Sequence, residues 1–260
     1  MTAYETIALE QSGPIARITL NRADAANAMN DSMTRELADA ARRCDHSAAK
    51  VVVLTGAGRF FSAGGDLRAM ASSSSTAGQY VKTIADDLHR AISTFARMDA
   101  VLITAVNGVA AGAGFGLAVT GDLVLAAQSA TFTMAYTAAG LSPDGSSSYY
   151  LPRLIGVRRT QELMLTNRRL SAGEALRWGL LTEVVEDAEL AARVDAVAQQ
   201  IASGARRSAS AVKKLVLMSF TSGLEEQMET EGRLIAECAD STDGHEGIDA
   251  FLQKRRPEFA

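Results

Sequence analysis

The stretch Ala105-Val-Asn-Gly-Val-Ala-Ala-Gly-Ala-Gly-Phe-Gly116 leaves the end of an apolar run that starts at Val101 and enters a short segment with helical character. Its amides at Gly112, Ala113 and Gly114 fall where a helix begins, and there the unpaired N–H groups and the helix dipole favour negative charge. Glycines at this density also let a helix and a strand pack closely, which is the plainer explanation. Two phosphate-binding patterns fail on register. A G-x-G-x-x-G motif begun at Gly112 needs a third glycine where the chain has Leu117, and no acidic residue ends a strand about twenty residues later. A P-loop needs a Gly-Lys-Ser/Thr that does not follow. A second loop, Phe60-Phe-Ser-Ala-Gly-Gly-Asp-Leu67, comes after the β-branched run Val51 to Thr55 and again offers amides on small residues. Two such loops can each aim one N–H at a single oxygen, the arrangement that an enolate or tetrahedral oxyanion requires.

Around these loops the chain repeats a strand-strand-helix unit. Ile7 to Leu9 and Ile15 to Leu20 read as a hairpin across Ser12-Gly13-Pro14, and Asn30 reads as the N-cap of a helix carrying Met33, Leu37, Ala40, Ala41 and Cys44 on one face. Val51 to Thr55 and Val101 to Val106 are expected as strands covered on both faces. Between them a helix from about Ala77 to Met98 shows the stripe Val81, Ile84, Ala85, Leu88, Ile92 and Phe95. Leu123 to Ala127, Thr131 to Met134 and Thr182 to Val185 follow as strands, Arg158 to Thr166 and Ser171 to Trp178 as helices. From Leu190 the pattern is helical, with no proline before Pro257. The run Ser72 to Ser75 reads as a solvated loop. An α/β core over residues 1–195 and a helical region over residues 196–260 are therefore expected.

With 260 residues, 47% of them hydrophobic and 22% charged, the chain can bury a full core, which excludes disordered and disulfide-scaffold classes. Lys and Arg number 26 against 30 Asp and Glu, a formal charge of −4 that gives no field for a polyanion. Small molecules or further copies of the chain are the expected partners, and nucleic acid is not. Cys44 and Cys238 lie far apart in apparent helices, and the three histidines have no spaced ligands beside them, so neither a disulfide framework nor a metal site is expected. MTAYETIALEQSG lacks the layout of a leader and no window has the length of a membrane span, so a cytoplasmic protein without membrane association is expected.

The blocks F-S-A-G-G-D-L, A-V-N-G-V-A-A-G-A-G, L-T-N-R-R-L-S-A-G-E-A-L-R-W-G-L and E-G-I-D-A-F-L-Q-K-R-R-P-E-F, in this order from about Leu20 to Phe259, resemble the enoyl-CoA hydratase/isomerase, or crotonase, superfamily. The resemblance implies a crotonase-type spiral of β-β-α turns with a C-terminal helical trimerisation region. It further implies a homotrimer or a dimer of trimers, an acyl-CoA substrate, and no cofactor beyond the coenzyme A that the substrate carries. Carried over residue by residue, it puts the two oxyanion amides on Gly65 and Ala113, and contacts to the adenine and pantetheine near Ala25, Ala26, Ala63, Asp66 and Leu67. Asp24 stands where many members have Lys or Arg.

The departures narrow the chemistry. The resemblance places the two catalytic glutamates of hydratases at Gly116 and Tyr136, so the acid and base that add water to a conjugated double bond are both missing. Asp144, in Leu-Ser-Pro-Asp-Gly, reads from residues alone as turn chemistry. Two branches of the family look similar here and put a working Asp at this position. In isomerases of phenylacetate degradation it shuttles a proton; in 4-chlorobenzoyl-CoA dehalogenase it is a nucleophile, with a water-activating histidine at the position of His89. His89 lies roughly 80° from the centre of its helix's apolar stripe, the place of a flank residue or of one facing a pocket edge. Phe115, Gly116 and Tyr136 are expected along the acyl pocket. His46 and His245 are expected at the surface, Arg206, Arg207, Lys213 and Lys214 on solvated helix faces. An isomerase with Asp144 as acid and base leads the expectations, ahead of a hydrolytic enzyme using Asp144 and His89 and a non-catalytic acyl-CoA-binding protein.

Overall fold

The structure is a computed structural model and describes residues 4–260; residues 1–3, where the first expected region starts, lie outside it. β1 (Ile7–Ser12) and β2 (Ile15–Leu20) form the expected hairpin, Ile7 opposite Leu20. Asn30 then caps α1 (Asp31–Asp45), its side chain accepting the Met33 N–H at 3.0 Å. Each later turn of the chain sends one strand to each of two sheets. β3 (Val51–Gly56) is followed by β4 (Phe60–Ser62), β5 (Val101–Val106) by β6 (Val109–Ala111), and β7 (Leu123–Ala127) by β8 (Thr131–Thr133). β9 (Leu170–Ser171) and β10 (Glu183–Val185) complete the pattern, giving a large sheet in the order β1-β2-β3-β5-β7-β10 and a small one in the order β4-β6-β8-β9.

The helices are α2 (Leu67–Ser72), α3 (Ala77–Arg97), α4 (Ala113–Ala118), α5 (Ser147–Thr166), α6 (Ala172–Trp178), α7 (Leu190–Ala202), α8 (Arg206–Met218), α9 (Leu224–Ala239) and α10 (Thr242–Leu252). Capping boxes, Thr76 with Gln79 and Ser171 with Glu174, start α3 and α6 by satisfying two orphan donors each. α3 lays Ala85, Leu88, Ile92 and Phe95 into the core, as its stripe predicts, whereas Val81 and Ile84 are half-buried. Of the small sheet, the sequence pattern announces only β8, expected as Thr131 to Met134. Its other strands are three residues or shorter, too brief for an alternation to register. α5 begins at Ser147, well before the predicted Arg158, and breaks at Gly156 (φ 79°, ψ 160°), so its second half is the segment that periodicity finds. Ser72 ends α2, and only the rest of the serine run is loop.

Residue 195 falls inside α7, which packs on β3, β5 and β7, while α8 touches α3 and β5 and α9 and α10 attach beyond it. Lys213 fastens α8 to the core and is not on a solvated face. Its ammonium is buried, donates to the Phe95 and Ala100 carbonyls at 2.5 and 2.9 Å, and pairs with Asp122 at 2.8 Å. Asp122 in turn accepts the Leu102 N–H at 2.7 Å. Burial pushes the Lys213 ammonium below and the Asp122 carboxyl above their ordinary values, with the mutual attraction opposing both shifts. Cys44 and Cys238 are free thiols, and burial pushes Cys44 up to about 11. Among the described residues no helix is long and apolar enough to cross a membrane.

Removing the buried Lys213 ammonium leaves the Phe95 and Ala100 carbonyls without their donor and the partly exposed Asp122 without its partner. Lys213→Met is expected to lower unfolding stability in urea by about 3 kcal/mol, and adding Asp122→Asn to lower it by less than the sum of the single changes.

Candidate active site

The loop after β4 and the loop before α4 meet main chain to main chain. Gly64 has φ +89°, and a Cβ built on it would sit 2.7 Å from the Ala111 carbonyl oxygen and 3.2 Å from the Ala113 nitrogen, so only glycine lets the two loops approach this closely. The Gly64 N–H donates to Ser62 Oγ at 3.2 Å, and Ser62 Oγ donates to the Asn27 carbonyl at 2.8 Å. Neither the Gly65 nor the Ala113 amide donates to a protein group among the described residues. Gly65 is exposed and Ala113 buried, at 6% exposure.

Four contacts join Tyr136, Asp144 and His89 to these loops and to one another. A Cβ at Gly112 would lie 3.8 Å from Tyr136 Cζ, and one at Gly145 would lie 3.5 Å from Ala113 Cα. The Tyr136 hydroxyl donates to Asp144 Oδ1 at 2.5 Å. The Gly145 N–H donates to His89 Nε2 at 3.3 Å, with the His89 side chain otherwise exposed. Burial, followed by the neighbouring Asp144 charge, drives the Tyr136 phenol far above its ordinary value, so it keeps its proton and gives it to the hydrogen bond. Asp144 and His89 also line a cavity of about 860 Å³ between α3, α5, α8 and α9.

Gly116 and Phe115 do not line a pocket. A Cβ on Gly116 would fall 2.4 Å from the Gly145 carbonyl oxygen, so main chain already fills the space that a longer side chain would need. Phe115 is fully buried and packs its ring on Phe132 at 5.2 Å, in the core.

Along the rim, Ala25 and Ala26 are half-buried and Ala63 and Leu67 exposed. The Asp66 side chain is occupied with structure. It caps α2 by accepting the Arg68 and Ala69 N–H groups and pairs with Arg22 at 3.0 Å. Burial raises its carboxyl, and these donors outweigh burial and hold it below the usual range. Residue patterns gave no notice of Asn27, which is buried. It accepts the Arg22 N–H and donates to the Ala57 and Phe60 carbonyls, fixing the rim loop against the turn before β4. Asn107 does the same one turn later, accepting the Gly56 N–H and donating to the Gly58 carbonyl. Asn107, next to Gly108 in a glycine-rich turn, carries a signal that could have found it, whereas Asn27 lies between alanines and carries none.

Residues 10–260 match the enoyl-CoA hydratase/isomerase family, and the chain belongs to that family. Over 257 residues it is 38% identical to a Rhodobacter capsulatus protein described as "Probable enoyl-CoA hydratase", covering 99% of this chain and 98% of that one. It is 36% identical to the 1,2-epoxyphenylacetyl-CoA isomerase of Escherichia coli, covering 94% of each. To a 4-chlorobenzoyl coenzyme A dehalogenase of Arthrobacter it is 34% identical, over 86% of this chain and 82% of that one. Its fold is the crotonase fold. An enoyl-CoA hydratase subunit from Geobacillus kaustophilus superposes with a TM-score of 0.90 at 32% identity, covering 99% of this chain and 98% of that one.

The Gly116 contact sets a steric test. Gly116→Ala is expected to destabilise the chain by about 1–3 kcal/mol in urea, because the methyl group must displace the Gly145 carbonyl. Gly116→Glu is expected to give no hydration of crotonyl-CoA in an absorbance assay.

Proposed function

We propose that this protein is an acyl-CoA isomerase that shifts a double bond along the acyl chain, with Asp144 as its single acid and base. The observation that carries the reading is the Tyr136 to Asp144 hydrogen bond, set against the paired loops, with the Gly116 position closed by the Gly145 carbonyl. In this reading the thioester oxygen accepts the Gly65 and Ala113 N–H groups. Asp144 takes a proton from one carbon of the enoyl system. The electron pair left by that C–H bond delocalises onto the thioester oxygen as an enolate, and two fixed amides are worth roughly 3 kcal/mol each there. Asp144 then returns the proton at the other end of the allyl system, so no water, oxidant or second base is consumed. Tyr136 orients the carboxylate through its own hydrogen bond. Coenzyme A enters as part of the substrate and lies along the rim of Ala25, Ala26, Ala63 and Leu67.

The hydrolytic alternative needs His89 to take a proton from water beside an Asp144 ester. His89 Nε2 already accepts the Gly145 N–H, which favours the proton shuttle.

Asp144→Asn is expected to abolish exchange of substrate α and γ hydrogens with deuterated solvent, while Tyr136→Phe slows it about tenfold or more. Solvent oxygen-18 found in the Asp144 side chain after one turnover would overturn the isomerase in favour of the hydrolase. An acyl-CoA panel that binds without exchange would leave only a binding protein.

The reading also carries self-association as a trimer or a dimer of trimers, in the cytoplasm. Ile235 on α9 and Phe251 and Leu252 on α10 are 71, 82 and 71% exposed, large apolar side chains that suit burial against another copy. Phe251→Glu is expected to shift sedimentation toward the monomer.

A further inference from the structure

The cavity that Asp144 and His89 line also takes in Ile92 and Arg97 of α3 and Arg233 of α9. His89, hydrogen-bonded next to Asp144, and Arg97 are eight residues apart on α3, so this distance is about 12 Å at the rise of an α-helix. Part of the cavity wall is apolar, formed by Ile92, Leu217 and Met218, with the tyrosine pair Tyr149 and Tyr150 beside them. Another part is cationic. Lys214 there is paired with Asp99 at 2.8 Å, while Arg97 and Arg233 are both exposed and make no hydrogen bond or ion pair among the described residues. Among the described residues Asp144 is the only carboxylate in the lining. Burial, followed by the Asp122 charge, pushes the Tyr150 hydroxyl up to about 12, with the Arg97 charge pulling against both. An open cavity that holds Asp144, an apolar wall and two guanidinium groups without a protein partner is complementary to a chain that is itself charged at its far end.

We infer that the acyl group this protein selects ends in a carboxylate, held by Arg97 and Arg233, with an apolar chain between that carboxylate and the thioester. The inference rests on the acyl-CoA reading above and is independent of the fate of the double bond. Arginine is suited to the task because its fork binds a carboxylate through two parallel, charge-assisted hydrogen bonds. A methyl-terminated chain of the same length would fill the cavity and leave both cations without a partner.

Calorimetric titration of octanoyl-CoA and suberyl-CoA tests this, since the two differ only in the terminal group and neither carries a double bond that the enzyme could move. Suberyl-CoA is expected to bind the intact protein about tenfold tighter or more. In Arg97→Met/Arg233→Met the ratio is expected to fall to near one, and in Arg97→Lys/Arg233→Lys to recover in part. Because each ratio is taken within one protein, a general loss of stability does not imitate the result. Free coenzyme A, titrated alongside, separates the two sources of anion. Weaker coenzyme A binding by the methionine variant would assign the arginines to the phosphates and overturn the inference, as would equal binding of the two thioesters by the intact protein. A retained ratio in a protein that exchanges no deuterium would overturn only the isomerase reading.

Discussion

The contact between the Gly64 loop and the start of α4 is the constraint on which the site depends. It is a main-chain contact with no side chain between its partners, and its geometry is therefore set by strand register and by glycine. The small sheet supplies the register. β4 and β6 lie parallel in it, each directly before one of the two loops, so both loops leave the same edge in the same direction. β8 is the next strand, and Tyr136 follows it by three residues. One short sheet thus delivers both amides and the phenol to one place, while the large sheet and α7 supply the rigid backing.

That placement accounts for the economy of ionisable groups at the site. In the proposed reaction a single carboxylate suffices as acid and base, because the enolate charge would be carried by amide dipoles that do not titrate. Tyr136 fits this scheme as a proton held in place. Its burial keeps the phenol protonated across the physiological range, so Asp144 has a fixed donor on one oxygen. His89 does comparable work on the neighbouring residue, anchoring the Gly145 amide and with it the turn that carries Asp144.

Much of this was legible in the chain. β-branched runs found the strands of the large sheet, and Asn30, Thr76 and Ser171 mark helix starts by chemistry that needs no tertiary context. The loops around Gly65 and Ala113 were legible because small residues after an apolar run have few uses. What escaped had a common cause: it is decided by contacts distant in sequence. β4, β6 and β9 exist because neighbours complete them. Asn27 looks like any loop asparagine until the turn before β4 folds over it. Phe115 and Lys213 were misread in opposite senses, the aromatic expected at the pocket and found in the core, the lysine expected in water and found under α8. In neither does the local pattern say which side of the helix the rest of the chain covers.

The Gly145 carbonyl packed against Gly116 also bears on how such enzymes diverge. A side chain at position 116 has no room until the turn that carries Asp144 and Gly145 moves, so the two segments can change only together. Main-chain packing of this kind couples two places far apart in sequence and gives related chains a reason to remain distinct over long divergence.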